Sequence, residues 1–237
     1  MSMERYLAAL AWPVCTLNAT VTLNPRPINR SGGMTMGGGE QIVSAGAAYW
    51  VGSMTFIVAK AHRLALWRDI HARLRGRSGT LRVPAYLSEH PSWTTAAELA
   101  SGDFRLGRRS NALTTHADDT TFSDGSSYLG SRYEVRLVAA AAAQDERITI
   151  SVRAGDVPLP GLLLSRWGQL HRVGLIMATG TANVYEVDIW PPLRSAWAAG
   201  IRLEADRPTC LMRLTDDEAG QASPRDMSVS ISLREAV

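Results

Sequence analysis

The sequence predicts a mainly β protein, built of β-sandwich or β-barrel modules with one amphipathic α-helix at about residues 61–74. Three observations carry that reading. Short runs alternate apolar with polar residues at a period of two along most of the chain. Gly, Pro, Asn and Asp punctuate those runs at turn-like spacing. Only one window keeps a helical period. At 237 residues the chain has room for a proper core in one large β domain or two small ones.

Cys15 to Leu23 alternates as a first strand, and Asn24-Pro25-Arg26-Pro27 is expected to end it, since proline donates nothing to a ladder. Ser31 to Gly39 reads as a flexible glycine-rich loop. Glu40 and Gln41 follow it in place of Lys-Ser/Thr, and a carboxylate repels phosphate, so no nucleotide cradle is expected. Gln41 to Val43 and Tyr49 to Ala59 read as two strands separated by a turn at Gly46.

The helix follows, with Leu64, Trp67, Ile70 or His71, and Leu74 on one face, Arg63, Arg68 and Arg73 on the other, and Gly76 as its C-terminal glycine. His62 and His71 are nine apart, which is not a ligand spacing on one helix face, so no ligand pair is expected. Thr80 to Val83 is a short strand. Ser88 to Tyr128 then loses periodicity and fills with Ser, Thr, Asp and Gly. Within it Asp118, Asp119 and Asp124 miss the alternating pattern of a calcium loop. Strand patterning returns at Tyr133 to Val138, Ile148 to Val152 and Leu162 to Leu164, with a hairpin of Arg166 to Leu175 and Val184 to Trp190 around Gly180. The alanines at 139–143 are assigned to strand by their β-rich flanks. Leu193 to Gly200 reads as a single helical turn. Ile201 to Leu203, Cys210 to Leu214 and Met227 to Leu233 read as closing strands. The implied division is an N-terminal β module with the helix (1–85), a polar loop-rich excursion (86–130) and a C-terminal β module (131–237), or one continuous domain.

Composition narrows the function. Hydrophobic residues make up 46% and charged residues 20%, ordinary for a globular chain. The longest apolar run, Leu137 to Ala143, is too short for membrane insertion. The N-terminus lacks the apolar core of a signal peptide, which predicts no export. Cys15 and Cys210 are expected to be buried free thiols. The net charge of +3 comes from scattered arginines, with Lys60 the sole lysine and Arg63, Arg68, Arg73, Arg75 and Arg77 the one dense group, so no nucleic-acid stripe is predicted. Asp216-Asp217-Glu218 sits in a loop of solvated character, no serine lies in a nucleophile elbow and no Cys/His pairing is suggested. No catalytic residue, cofactor or metal site is expected, and the chain is not read as an enzyme.

Taken in order, the motifs resemble those of tail proteins of long-tailed double-stranded DNA bacteriophages. The similar pieces are Gly39 to Gln41, Tyr49 to Phe56, Trp67, LRGRSGTLRVP from Leu74 to Pro84, Trp167 to Val173, DIWPPLR from Asp188 to Arg194, Ala199-Gly200, and PTCLMRL from Pro208 to Leu214. The 86–130 region departs from the pattern. The resemblance implies a distal tail protein or another tail-tip component, found in the virion and assembled in the host cytoplasm. Its implied partners are further copies of itself in a homo-oligomeric ring, commonly a hexamer, together with the tail tube protein, the baseplate hub and other tail-tip proteins.

Two candidate subunit contacts follow. Arg73, Arg75 and Arg77, at the helix end and its basic turn, are suited to bidentate pairing with a neighbour's acids; the alternative is a solvated cationic helix terminus. Trp190 to Arg194, stiffened by Pro191 and Pro192, is suited to anchoring an interface; the alternative is that Trp190 plugs its own core and Arg194 caps a local carbonyl. A glycan-binding rival has only Trp93 and Tyr128 to offer.

Overall fold

The computed structural model describes residues 3–12, 20–34, 36–58, 61–85, 113–114, 128–129, 134–154, 158–205, 208–217, 220 and 228–236. The protein is mainly β. In chain order the elements are α1 (Met3–Ala8), β1 (Leu10–Ala11), β2 (Thr20–Met34), β3 (Glu40–Ile57), α2 (Ala61–Leu74) and, after a 3-10 turn at Gly76–Ser78, β4 (Leu81–Pro84). Two short strands, β5 (Leu113–Thr114) and β6 (Tyr128–Leu129), pair with each other. Then come β7 (Glu134–Leu137), β8 (Arg147–Ala154), β9 (Leu163–Arg166), β10 (Gln169–Ala178), β11 (Val184–Trp190), β12 (Arg202–Glu204), β13 (Thr209–Leu214) and β14 (Ser228–Glu235). Cys15, Trp93 and the expected loop at 116–127 lie outside the described residues.

Two bodies of sheet result. One is a six-stranded sheet in the order β1-β4-β13-β14-β3-β2, and the other is a closed six-stranded barrel in the order β10-β11-β8-β7-β12-β9. The division at residue 131 therefore needs correction. β13 and β14 do not close the C-terminal module; they lie between β4 and β3 and complete the N-terminal sheet. Cys210, Met212, Val229, Ile231 and Leu233 put their alternate positions on the same face as Met54 and Phe56, and that face, rather than the barrel, buries them.

One face of the sheet is apolar. It packs against Trp67 and Leu74 of α2 and against Leu163 and Leu170 of the barrel. Phe56 meets Trp67 edge-on at 4.8 Å between centroids, and Trp67 donates its indole N–H to the Gly220 carbonyl at 2.8 Å. The opposite face carries Thr22, Ser53, Thr55 and Ser230, hydrogen-bonded across strands as Thr22–Ser53 and Thr55–Ser230. The barrel has its own core, with Val135, Leu137, Ile150, Leu162, Leu164, Val173, Val187 and Ile189 turned inward. β9 shows the period of two directly: Leu164 faces the barrel interior while Leu163 faces the sheet.

Several local expectations are corrected. Pro25 and Pro27 do not end the first strand; β2 continues to Met34, taking in part of the expected loop at 31–39. The reason is its position at the sheet edge. Trp50, opposite Pro25, gives its N–H to Glu235, and Ala48, opposite Pro27, turns its carbonyl toward Arg194. Both pairs are of the non-hydrogen-bonded kind, so each proline nitrogen faces outward, where no donor is needed. Gly46 is not a turn between two strands. It lies inside a continuous β3 at φ +60°, where the register with β2 shifts between Pro27/Ala48 and Asn29/Ser44.

The alanines at 139–143 form no strand, β7 ending at Leu137 and only Ala141 bridging to Trp197. The segment 193–200 bends without a helical turn. The expected hairpin from Arg166 is two hairpins. Trp167 and Gly168, at φ +50° and +78°, make a tight turn that joins β9 to β10 before β10 pairs with β11.

β2 and β3 extend well beyond the sheet. β14 covers β3 only over 51–57, and residues 26–34 and 36–44 are exposed throughout. The two strands form an arm that carries Ile28, Met34, Met36, Ile42 and Val43 into solvent.

Candidate subunit-contact surface

The basic turn is shaped by backbone. α2 ends at Leu74; Arg75 and Gly76 take φ +49° and +66°, and Gly79 N–H returns to the Leu74 carbonyl at 2.8 Å. The turn docks on Asp217, which accepts the Arg77 N–H at 2.8 Å and pairs with the Arg77 guanidinium at 3.4 Å. These Arg77 contacts hold the Asp217 carboxyl below its usual range. Arg73 pairs with Asp69 one helical turn away at 3.6 Å, both side chains well exposed. Two of the three arginines thus already face an acid of their own chain, while Arg75 is exposed at the apex.

The corner at Trp190 to Arg194 sits where barrel meets sheet. The Trp190–Pro191 peptide is cis, and Pro191 accepts a 2.6 Å hydrogen bond from His171 Nδ1. Burial drives the His171 imidazole down to about 4, so the ring is neutral near pH 7. Arg194 leaves the corner and enters the sheet. Its Nε donates to Glu235 Oε1 at 2.9 Å, its Nη2 to Glu235 Oε2, and the same Nη2 to the Ala48 carbonyl at 2.9 Å. Glu235 also accepts the Trp50 N–H at 2.9 Å. The side chains are 17% and 1% exposed. Burial raises the Glu235 carboxyl against the pull of Arg194 and the Trp50 amide. Further joints lie alongside: Trp50 Nε1 donates to the Leu170 carbonyl at 2.6 Å, and Leu211 N–H to the Gly168 carbonyl at 2.9 Å. Arg194 is therefore engaged inside its own chain, with the Glu235 carboxylate and the remote Ala48 carbonyl rather than with a local carbonyl.

Trp190 has a different setting. It is half-buried on the outer face of the barrel, where it lines an open cleft of about 690 Å³ with Asp145, Glu146, Arg147, Gly174, Glu186 and Asp188. Glu186, Asp188 and Trp190 share one face of β11 because they alternate with the inward Val187 and Ile189. Arg147, across from Asp188 on β8, bonds it at 2.6 Å and approaches Glu186 at 3.7 Å. The cleft thus holds four carboxylates against one guanidinium. The sequence contained its signal, the Glu-x-Asp-x-Trp alternation; what it did not contain was the register that adds Arg147 and the preceding acids.

No group of three or more potential metal ligands occurs among the described residues, and no helix there is long and apolar enough to cross a membrane. No family model matches the chain, and no curated protein matches it.

Proposed function

We propose that this chain is a structural component of a bacteriophage tail tip, a distal-tail-like subunit that forms a ring joining the tail tube to the baseplate hub. The observation that carries the reading is the β2–β3 arm. A hairpin end projecting over residues 26–34 and 36–44, with apolar side chains in water and none of its own residues buried, is a poor feature for a lone subunit and a useful one for an assembly. The ordered motifs point to the same class, and a sheet with an attached barrel is compatible with it. Arg75, at the apex of the basic turn, is the arginine of that group best placed to meet a neighbour.

The test joins location to copy number. Antibody against the chain should label one end of the tail in purified particles, and the purified chain should sediment as a closed multiple of its 25.7 kDa mass. A chain that stays monomeric at high concentration, with no label at the tail tip, refutes the reading. Tight binding of host polysaccharide by that monomer would support the glycan-binding rival instead.

A further inference from the structure

We infer that the arm of one copy seats in the acidic cleft of the next, so that copies join head to tail. The inference rests on the ring reading and supplies its contact. β2 alternates, so Arg26, Ile28 and Arg30 share one face of the arm, opposite to that of Leu23 and Pro25. Val43 joins that face as the partner of Arg30. The arm therefore presents two guanidiniums about 13 Å apart, at ~3.3 Å per residue, with exposed apolar side chains between and beside them.

The barrel presents the complement. Glu186 and Asp188 line the cleft beside the flat indole of Trp190, and Arg147 neutralises only part of the acidic charge. Guanidiniums bind carboxylates in fork geometry and stack on aromatic faces, and Trp and Arg are favoured anchors at interfaces. The volume suits seated side chains, lying within the range of sites that bury a ligand.

Within one chain the arm is exposed and the cleft is open. A different surface meets its complement in this contact, which makes it heterologous; such contacts close into rings when the rotation allows. The prolines fit as well. Pro25 and Pro27 block strand addition along the edge at the base of the arm, which leaves the side-chain face to make the contact.

The experiment uses the full chain and two charge reversals, Arg26→Glu with Arg30→Glu, and Glu186→Lys with Asp188→Lys. Each double variant should keep a cooperative melt yet raise the dissociation constant for self-association at least about tenfold. Mixing the two should restore assembly, because native arm meets native cleft and reversed arm meets reversed cleft. An Ile28→Cys chain mixed with a Glu186→Cys chain should form an intermolecular disulfide on oxidation that the unsubstituted chain does not. Assembly undiminished by either reversal, or lost and not restored by mixing, overturns the arm contact while leaving a ring in place. A chain that never associates overturns the ring along with it.

Discussion

Replacing Arg194 by methionine isolates the joint between barrel and sheet. The substitution keeps much of the aliphatic stem and removes three hydrogen bonds, two to Glu235 and one to the Ala48 carbonyl. Glu235, its side chain 1% exposed, keeps only the Trp50 amide. Breaking a buried pair from one side costs about 3–5 kcal/mol, against a total domain stability of roughly 5–15 kcal/mol. Urea unfolding followed by tryptophan fluorescence reads the loss as a fall in midpoint at constant m.

The sign with pH is fixed by Glu235. Burial already raises its folded carboxyl above the ordinary value of 4.5, and loss of Arg194 raises it further. The folded variant then holds a proton that the unfolded chain releases, so its deficit is smallest below the unfolded value and grows as pH rises through the folded one. Unfolding at pH 5 and pH 8 should show the larger loss at pH 8. Adding Glu235→Gln, which retains an acceptor for Trp50 N–H, should recover at least about 1.5 kcal/mol at pH 8. A single variant within about 1 kcal/mol of the parent at both pH values would refute the buried pair and return Arg194 to the surface.

His171 makes a second, opposite prediction. Its folded value of about 4 lies below the ordinary 6.5, so its contribution is present above pH 6.5 and is lost as pH falls toward 4, by about 3 kcal/mol in all; His171→Gln should flatten that part of the stability profile. Gly168→Ala should destabilise by roughly 2 kcal/mol or more in urea, since the residue sits at φ +78° and a Cβ would lie 2.7 Å from Leu211 Cβ. Gly220→Ala should do the same, because at φ +85° the added methyl meets Ile231 at 2.7 Å and Trp67 at 2.9 Å. Trp67→Phe should cost about 2 kcal/mol in midpoint, leaving the Gly220 carbonyl without its indole donor and thinning the cluster with Phe56.

Which parts of this were legible in the sequence follows from how local their causes are. α2 and its glycine-rich end were readable because helix period and C-terminal turn are written in adjacent residues. β11 was readable because Val187 and Ile189 alternate with Glu186 and Asp188. The long arm is not legible because Pro25, Pro27 and Gly46 usually break strands; the prolines are harmless only on the outer edge, and Gly46 only at the register shift between β2 and β3. β13 and β14 were assigned to the wrong module because alternation fixes which side chains are buried and is silent on the sheet that buries them. The engagement of Arg194 is not legible because Glu235 and Ala48 are remote in sequence, nor is the acidic cleft, because Arg147 joins Asp188 only through strand pairing.

The order of the strands also has a consequence in time. Trp50 and Glu235 lie 185 positions apart, and β4 and β3 are held in one sheet only by β13 and β14, which leave the ribosome after the whole barrel. The barrel strands, β7 to β12, can pair as soon as they emerge, whereas β3 must wait with its inner edge uncovered, a long-range closure of the kind that makes β topologies slow. Arg194 can reach Glu235 only when β14 has docked. Completion of the subunit is thus reported at the barrel corner by the last strand to arrive, and a nascent chain that has made its arm and its cleft still lacks the buried ion pair that ties the corner to the finished sheet.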